Sequence, residues 1–329
     1  MLYRKLGNSG IEASVIALGT WAIGGWMWGG NDEEESIKAI DASIDNGINL
    51  IDTAPVYGFG LSEEIVGKAI KNKRDKVVLA TKCGLRWDLE KGEFHFYSDE
   101  KTVIKDSSKM KVYKYLHPDS IKEEIERSLK RLQTDYIDLY QTHWQDSTTP
   151  IEDTMAVLLK LKEEGKIRSI GVSNANIEQM KRYGNIDTDQ EKYNMLQRKV
   201  EELGNTDYCY ENNIAFLAYS PLAQGVLTGK INSDRKYNEG DVRLNHPLYQ
   251  KENLDKINKM LKEFTPIAEK HNATLGQLIS AWTFNRRGVT HLLIGARNAE
   301  QAIENAGAGS IELKSEDIEL IDKVYSNYF

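Results

Sequence analysis

Four side chains able to move or steer a proton stand at or beside the ends of short apolar runs. They are Asp52 and Tyr57 in LIDTAPVYG, Lys82 in VVLATK and His143 in IDLYQTHW. A phenol, an ammonium, a carboxylate and an imidazole gathered together make a proton-donating group for a carbonyl. An ordinary tyrosine titrates near pH ~10 and a lysine near ~10.4, so a lone phenol is a feeble acid at neutral pH. A nearby ammonium lowers the phenol's pKa by favouring phenolate, and a carboxylate beside that ammonium keeps it charged and in place. On this reading Asp52 holds Lys82, Lys82 tunes Tyr57, Tyr57 protonates a developing alkoxide, and His143 orients the carbonyl oxygen. General acid help of this kind is worth ~10²–10⁴ in rate. The chemistry is reduction, with the hydride coming from elsewhere. Singly, each residue has a commoner use: a helix cap for the aspartate, a rim charge for the lysine, a structural hydrogen-bonder for the histidine. Their complementarity after successive strands argues for one joint role.

The elements that would position them alternate. A helix over Glu33–Asn46 precedes INLIDT, and Ser62 is expected to cap a helix before VVLATK. Pro118-Asp119-Ser120 starts an amphipathic helix before YIDLYQTH, and Pro150 opens another that Gly165 ends before IRSIGVSN. Further strands are expected in DQEKYN, AFLAYS and THLLIG. Counting VIALGTW, eight strands fall around Ala17, Ile51, Leu79, Leu139, Ile170, Glu191, Leu217 and Leu293. With no gap of linker composition, the pattern predicts an α/β fold, a (β/α)8 TIM barrel forming one domain over residues 1–329. The opening YRKLGNSGIEAS reads as a β-hairpin turning at Asn8-Ser9-Gly10. Two stretches break the rhythm: about 34 residues between Lys82 and His117, and a polar segment between Gly229 and Asn258. Both follow the C-terminal ends of strands, where long loops usually form lids or walls.

Composition removes several function classes. A net charge of −7, with basic residues scattered along helices, gives no footprint for nucleic acid or an anionic membrane. Two cysteines, Cys83 and Cys209, are too few for a disulfide framework. The polar start MLYRKLGNSG and the lack of any run of ~18 apolar residues lead us to expect a cytoplasmic protein. There is no HExxH, no CxxC and no P-loop, so no metal is expected. A Gly-rich dinucleotide fingerprint begins at Gly58-Phe59-Gly60 but meets Glu63 where a third glycine is needed. A phosphate-bearing coenzyme can instead lie across a barrel mouth, near the loops of strands 7 and 8. Oligomeric state is not legible.

Several blocks together carry a resemblance. LGNSGIEASVIALGTW, the spacing Asp52-x4-Tyr57-Gly58, SEEIVGKAI, SLKRLQTDYIDLYQTHW, GKIRSIGVSN, AYSPLAQGVLTGK and IGARNAEQAIENAGA run from Lys5-Leu6-Gly7 to the final helix. The chain resembles the aldo-keto reductases, in particular the bacterial, NADP-linked group of general aldehyde and sugar reductases. That resemblance implies a catalytic tetrad of Asp52, Tyr57, Lys82 and His143. It implies that Ser173, Asn174 and Gln190 hold the nicotinamide carboxamide, that Tyr219 stacks on the ring, and that Gly19, Thr20 and Trp21 border it. Ser220, Pro221, Leu222, Ala223, Gln224, Gly225 and Lys230 would wrap the pyrophosphate. Gly295, Arg297, Gln301, Glu304 and Asn305 would surround the adenosine phosphate and adenine, with Arg243 as a second phosphate contact. NADP(H) is the expected cofactor, because Arg297 can pair with a 2′-phosphate through its planar fork. Family members best known for this chemistry carry a basic pair where this chain has Gly295 and Gln301, so use of NAD stays open. Trp21, Trp26, Trp87 and Trp144 resemble the aromatic walls of a substrate pocket, with Trp28 beside them. The expected substrate is a small carbonyl or polyol. Two alternatives remain at this point: a polyol or sugar dehydrogenase working oxidatively, and an NADP-sensing regulatory subunit.

Overall fold

Short apolar runs separated by helices close on themselves here because each strand is covered on both faces. The computed structural model describes residues 1–329. Tyr3–Lys5 (β1) and Glu12–Ser14 (β2) form the antiparallel hairpin. Gly7 in its turn has φ 53°, and a Cβ there would sit 2.2 Å from the Asp187 carbonyl oxygen, so only glycine fits. The barrel strands follow as β3 (Ile16–Gly19), β4 (Leu50–Asp52) and β5 (Val78–Cys83). Four inserted strands come next: β6 (Leu85–Arg86), β7 (Glu93–Ser98), β8 (Val103–Ile104) and β9 (Met110–Lys114). The barrel resumes with β10 (Ile137–Thr142), β11 (Ile167–Ser173), β12 (Thr188–Lys192), β13 (Ala215–Tyr219) and β14 (Val289–Gly295). Every barrel pairing is parallel, and β14 returns to β3 with Leu293 opposite Ala17, which closes the cylinder. All eight positions expected from the sequence lie inside these strands.

The helices are α1 (Glu33–Asp45), α2 (Leu61–Ile70), α3 (Pro118–Leu132), α4 (Ile151–Glu163), α5 (Ile177–Tyr183), α6 (Lys199–Glu202), α7 (Asn205–Glu211), α8 (Lys251–Lys270), α9 (Leu275–Phe284), α10 (Ala299–Gly307) and α11 (Ser315–Ser326). None is long and apolar enough to cross a membrane. The cap expected at Ser62 is not one. Gly60, at φ 110°, precedes α2, and the buried Ser62 hydroxyl lies 2.8 Å from Thr20 Oγ1 and 3.0 Å from Thr53 Oγ1. Ser62 thus ties α2 to the tops of β3 and β4.

The long segment after Lys82 differs from the loop expected. Its four strands form an antiparallel sheet in the order β6-β9-β7-β8. A register shift between Phe94 and Phe96 breaks the two-residue alternation that would have announced β7. Beneath this sheet a small cluster joins Trp26, Ala54, Val56, Leu85 and Val112. The segment after Gly229 carries two short 3-10 turns, Val242–Asn245 and Pro247–Tyr249, before α8.

Two apolar layers hold the frame. One lies between barrel and helices. The other fills the barrel itself with Leu6, Ala13, Ala17, Leu50, Val78, Ala80, Leu139, Ala215, Leu217 and Leu293. Each fully buried aliphatic side chain is worth about 1.5–3 kcal/mol against exposure, so the interior is a solid support and not a channel. Arg4 of the hairpin donates to the carbonyls of Phe284, Val289 and Thr290, which anchors the hairpin across the N-terminal end.

Candidate active site

Strand register brings the chemistry together. Lys82 lies opposite Gln141 on the neighbouring strand, and Gln190 lies opposite Ser173. Lys82 Nζ donates to Asp52 Oδ1 at 2.5 Å, to the Thr53 carbonyl at 3.0 Å and to Tyr57 Oη at 3.4 Å. The lysine is wholly buried and the aspartate nearly so. The other carboxylate oxygen, Asp52 Oδ2, accepts from Gln190 Nε2 at 2.9 Å and from Gln141 Nε2 at 3.1 Å. His143 meets the Tyr57 ring edge-on, with centroids 5.7 Å apart. The four residues expected to act jointly therefore occupy one small volume at the C-terminal end of the barrel.

Their electrostatics depart from the sequence expectation in sign. Burial first, and the Asp52 carboxylate second, push the Tyr57 phenol well above its ordinary pKa of 10. Burial also lowers the Lys82 pKa, although Asp52 and Glu63 oppose it. Desolvation and the Asp52 carboxylate act in the same direction on the phenol, an outcome that residue types alone cannot disclose. Tyr57 therefore stays a phenol across the physiological range. Burial, followed by Lys82 and His95, takes the His143 pKa well below 6.5. Its ring is neutral, with one N–H to donate and one nitrogen to accept.

From Asp52 and Tyr57 a cleft runs across the barrel mouth. It passes Gly19, Thr20, Trp21, Gln190 and Tyr219, follows Ser220, Pro221, Leu222, Gln224, Gly225, Lys230 and Arg243, and ends among Gly295, Arg297, Gln301, Glu304 and Asn305. These are the expected coenzyme positions apart from Ser173, Asn174 and Ala223, which stand behind its walls. The Asn174 amide nitrogen donates to the His143 carbonyl at 3.0 Å, and its Oδ1 accepts from Tyr219 Oη at 2.9 Å. Ser173 Oγ donates to the Gln190 carbonyl at 2.8 Å. The pair braces Gln190 and Tyr219 and does not cap the next helix, which Asn176 does. Ala223 is fully buried.

The Aldo/keto reductase family model matches residues 15–326. The chain belongs to the aldo/keto reductase family. It is 41% identical to "Aldo-keto reductase YhdN" of Bacillus subtilis, with 99% of this chain and 94% of that protein aligned. It is 42% identical to the "NADH-specific methylglyoxal reductase" of Escherichia coli, over 96% of each. Among solved structures it is similar to the glycerol dehydrogenase AKR11B4 from Gluconobacter oxydans, with a TM-score of 0.84 and 39% identity, covering 97% of this chain and 93% of that one. As an aldo/keto reductase it is an NAD(P)H-dependent oxidoreductase acting on the carbonyl and alcohol pair.

Features of this reductase's cleft fit a phosphate-bearing dinucleotide. Ser220, Ala223, Gln224 and Gly225 all have positive φ, which curls the backbone into a concave loop of the kind that cradles anions. Nothing lies within 4 Å of where a Gly225 side chain would begin. Gln224 Oε1, Trp21 Nε1 and Trp28 Nε1 are buried without a protein partner, as groups awaiting a ligand are. Arg235, Arg243, Arg297 and Lys230 supply positive charge along one half. Those cations are held in place: Lys230 pairs with Glu304 at 2.6 Å, and Arg243 pairs with Asp241 at 2.6 Å between the rings of Trp28 and Tyr237. Arg297 donates to the carbonyls of Trp28 at 3.3 Å and Gly30 at 2.7 Å.

The tryptophans of the aldo/keto reductase divide. Trp21 lines the cleft, 6.3 Å from the Tyr57 ring and edge-on to Trp28 at 5.5 Å. Trp26 does not face it: only 6% exposed, it stacks on Phe96 and donates to Ser98 Oγ at 3.0 Å. Burial and that bond make it an anchor of the inserted sheet. Trp87 packs on Phe59 and Trp144 on His95, both under that sheet and outside the main cleft. Sequence reasoning passed over Gln141, whose only mark is a polar residue inside a buried strand. It also passed over Arg235, Gln277 and Ser280, cleft residues on segments without a motif.

Proposed function

We propose that this protein reduces small, oxygen-bearing carbonyl compounds to alcohols, with NADPH preferred over NADH and Tyr57 as the proton donor. The observation that carries the reading is the Asp52–Lys82–Tyr57 chain at the head of the cleft, with contacts of 2.5 and 3.4 Å. A bound nicotinamide coenzyme supplies the hydride. Gln190, Tyr219 and Trp21 are suited to hold its ring end, and the Ser220–Gly225 loop with Lys230, Arg243 and Arg297 its phosphates. Arg297 at the far end favours a 2′-phosphate.

The carbonyl oxygen would sit between Tyr57 Oη and the neutral His143 ring, each donating a hydrogen bond that strengthens as negative charge builds on it. The raised pKa of the phenol is no obstacle in this direction. An alkoxide is a strong base, about as basic as hydroxide, so a phenol is a fitting acid to protonate it. Trp21 offers a flat apolar wall, and the named activities of the two relatives, on methylglyoxal and glycerol, support a short substrate bearing oxygen on adjacent carbons.

The test is a panel of aldehydes, keto-sugars and dicarbonyls assayed with both coenzymes, on the wild type and Tyr57→Phe. The variant should lose about 10²–10⁴ of turnover while binding NADPH within about twofold of wild type. Unchanged turnover would overturn the donor assignment.

A further inference from the structure

Gln141 has no part in the proton chain described above, yet it sits at its base. It projects from β10 beside Lys82 and is completely buried. Its Nε2 donates to Asp52 Oδ2 at 3.1 Å, while its Oε1 accepts from Gln190 Nε2 at 3.3 Å and from Thr188 Oγ1 at 3.5 Å. Gln190 Nε2 bonds the same carboxylate oxygen at 2.9 Å. Two amides therefore converge on the one Asp52 oxygen that Lys82 does not use. A buried carboxylate with one oxygen unpaired would be strongly disfavoured.

Opposite Gln141, Gly171 leaves room for this amide: a Cβ there would meet Gln141 Cγ at 2.9 Å and Thr188 Oγ1 at 2.1 Å. The position is thus fixed from three strands. Rotation of Asp52 about its side-chain bonds would break both amide contacts together. Gln190 also lines the cleft, so the network joins the coenzyme end of the site to the acid pair through a single side chain.

We infer that Gln141 is a positioning residue of the reaction: with Gln190 it clamps Asp52 against Lys82 and so keeps the lysine charged beneath Tyr57. The inference rests on the proposed role of the Asp52–Lys82–Tyr57 chain. Around Lys82 the charged and titratable groups are Asp52 from β4, Glu63 from α2, Tyr57 from the loop after β4, and His143 beyond β10. Glu63 is already paired with Arg131 at 2.6 Å. Asp52 is therefore the group through which Gln141 acts, since it is the nearest carboxylate and the one Gln141 touches. With Gln141 gone, Gln190 alone holds the second Asp52 oxygen, the carboxylate sits less tightly against Lys82, and the lysine gives up its proton at lower pH.

Gln141→Met keeps the side chain's length and removes all three of its hydrogen bonds. The expected result is a basic limb of the kcat profile for carbonyl reduction moved down by about one pH unit. NADPH affinity, read by quenching of protein fluorescence, should stay within about twofold, since Gln141 does not line the cleft. Gln141→Asn, which keeps the amide but falls one methylene short of Asp52, should move the limb in the same direction by less, and carries the test if the methionine variant does not fold. A folded variant of either kind with a wild-type pH profile overturns the inference. Tyr57→Phe separates the two levels. If it turns over normally, the acid chain itself is wrong. If it is inactive while both Gln141 variants keep the wild-type limb, the failure belongs to Gln141 alone.

Discussion

Replacing Asp52 by asparagine keeps the side chain's size and removes the carboxylate 2.5 Å from a lysine with no exposed surface. At an effective dielectric constant of ~20, two unit charges at that distance attract by about 6–7 kcal/mol. Lys82 can escape the loss by shedding its proton. Neutralising a lysine of ordinary pKa ~10.4 at pH 7 costs about 4.6 kcal/mol, at about 1.36 kcal/mol per unit. The smaller figure caps the penalty, and it falls in the range of about 3–5 kcal/mol expected when one partner of a buried pair is removed. The sign of the pH dependence follows from burial, which already lowers the Lys82 pKa and lowers it further once Asp52 is gone. Between the depressed native pKa and the unfolded one, the unfolded chain binds the proton and the native state does not, so stability rises with pH. At pH 9 the cap falls to about 1.9 kcal/mol. Urea unfolding followed by tryptophan fluorescence, on the wild type and Asp52→Asn at both pH values, measures the difference directly. A deficit that shrinks by about 2–3 kcal/mol from pH 7 to pH 9 is expected. The same deficit at both would mean that Lys82 carries no native-state charge for Asp52 to hold, and the reasoning would fall.

Two further outcomes follow from the cleft and the inserted sheet. Arg297→Ala should weaken NADPH by about 10–100-fold and NADH by only a few-fold, since a bond between charged partners contributes about 1.5–3 kcal/mol; equal losses in titrations of the two coenzymes would remove the phosphate contact. Trp26→Ala should cost about 3–5 kcal/mol at the seam under the sheet and speed hydrogen exchange in β7 and β9, while NADPH affinity holds. Unchanged exchange there would show that the sheet does not rest on this indole.

The barrel was legible because its signals are local. Each strand is a short apolar run, each helix has a period and a punctuating Pro, Gly or polar cap, and the eight expected positions from Ala17 to Leu293 all fall in strands. The gathering of Asp52, Tyr57, Lys82 and His143 followed from the same count, since parallel strands of one barrel share an end. The inserted sheet was hidden because much of its pairing is non-local: β6 meets β9 across 23 intervening residues, Gly92 and the Phe94/Phe96 irregularity interrupt the pattern, and the tight turn between β7 and β8, at Glu100-Lys101, carries no Asn-Gly or Asp-Gly signal. Trp26 looked like a pocket wall because an aromatic after a strand gives no hint of which way it faces. The direction in which the Tyr57 phenol is tuned was missed for another reason. Burial leads it, with the Asp52 carboxylate adding to it, and burial is a property of the folded chain.

The packing below Lys82 has a consequence for the catalytic cycle. Leu50, Ala80, Leu139 and Leu217 fill the cylinder beneath the lysine, with Leu6 of the hairpin stoppering its far end. These apolar side chains carry no donor or acceptor to pass a proton along, so in the proposed reaction a proton given up by Tyr57 would not be replaced through them from below. In that reaction the replacement would come through the cleft mouth, the opening that reactant and product would also have to use.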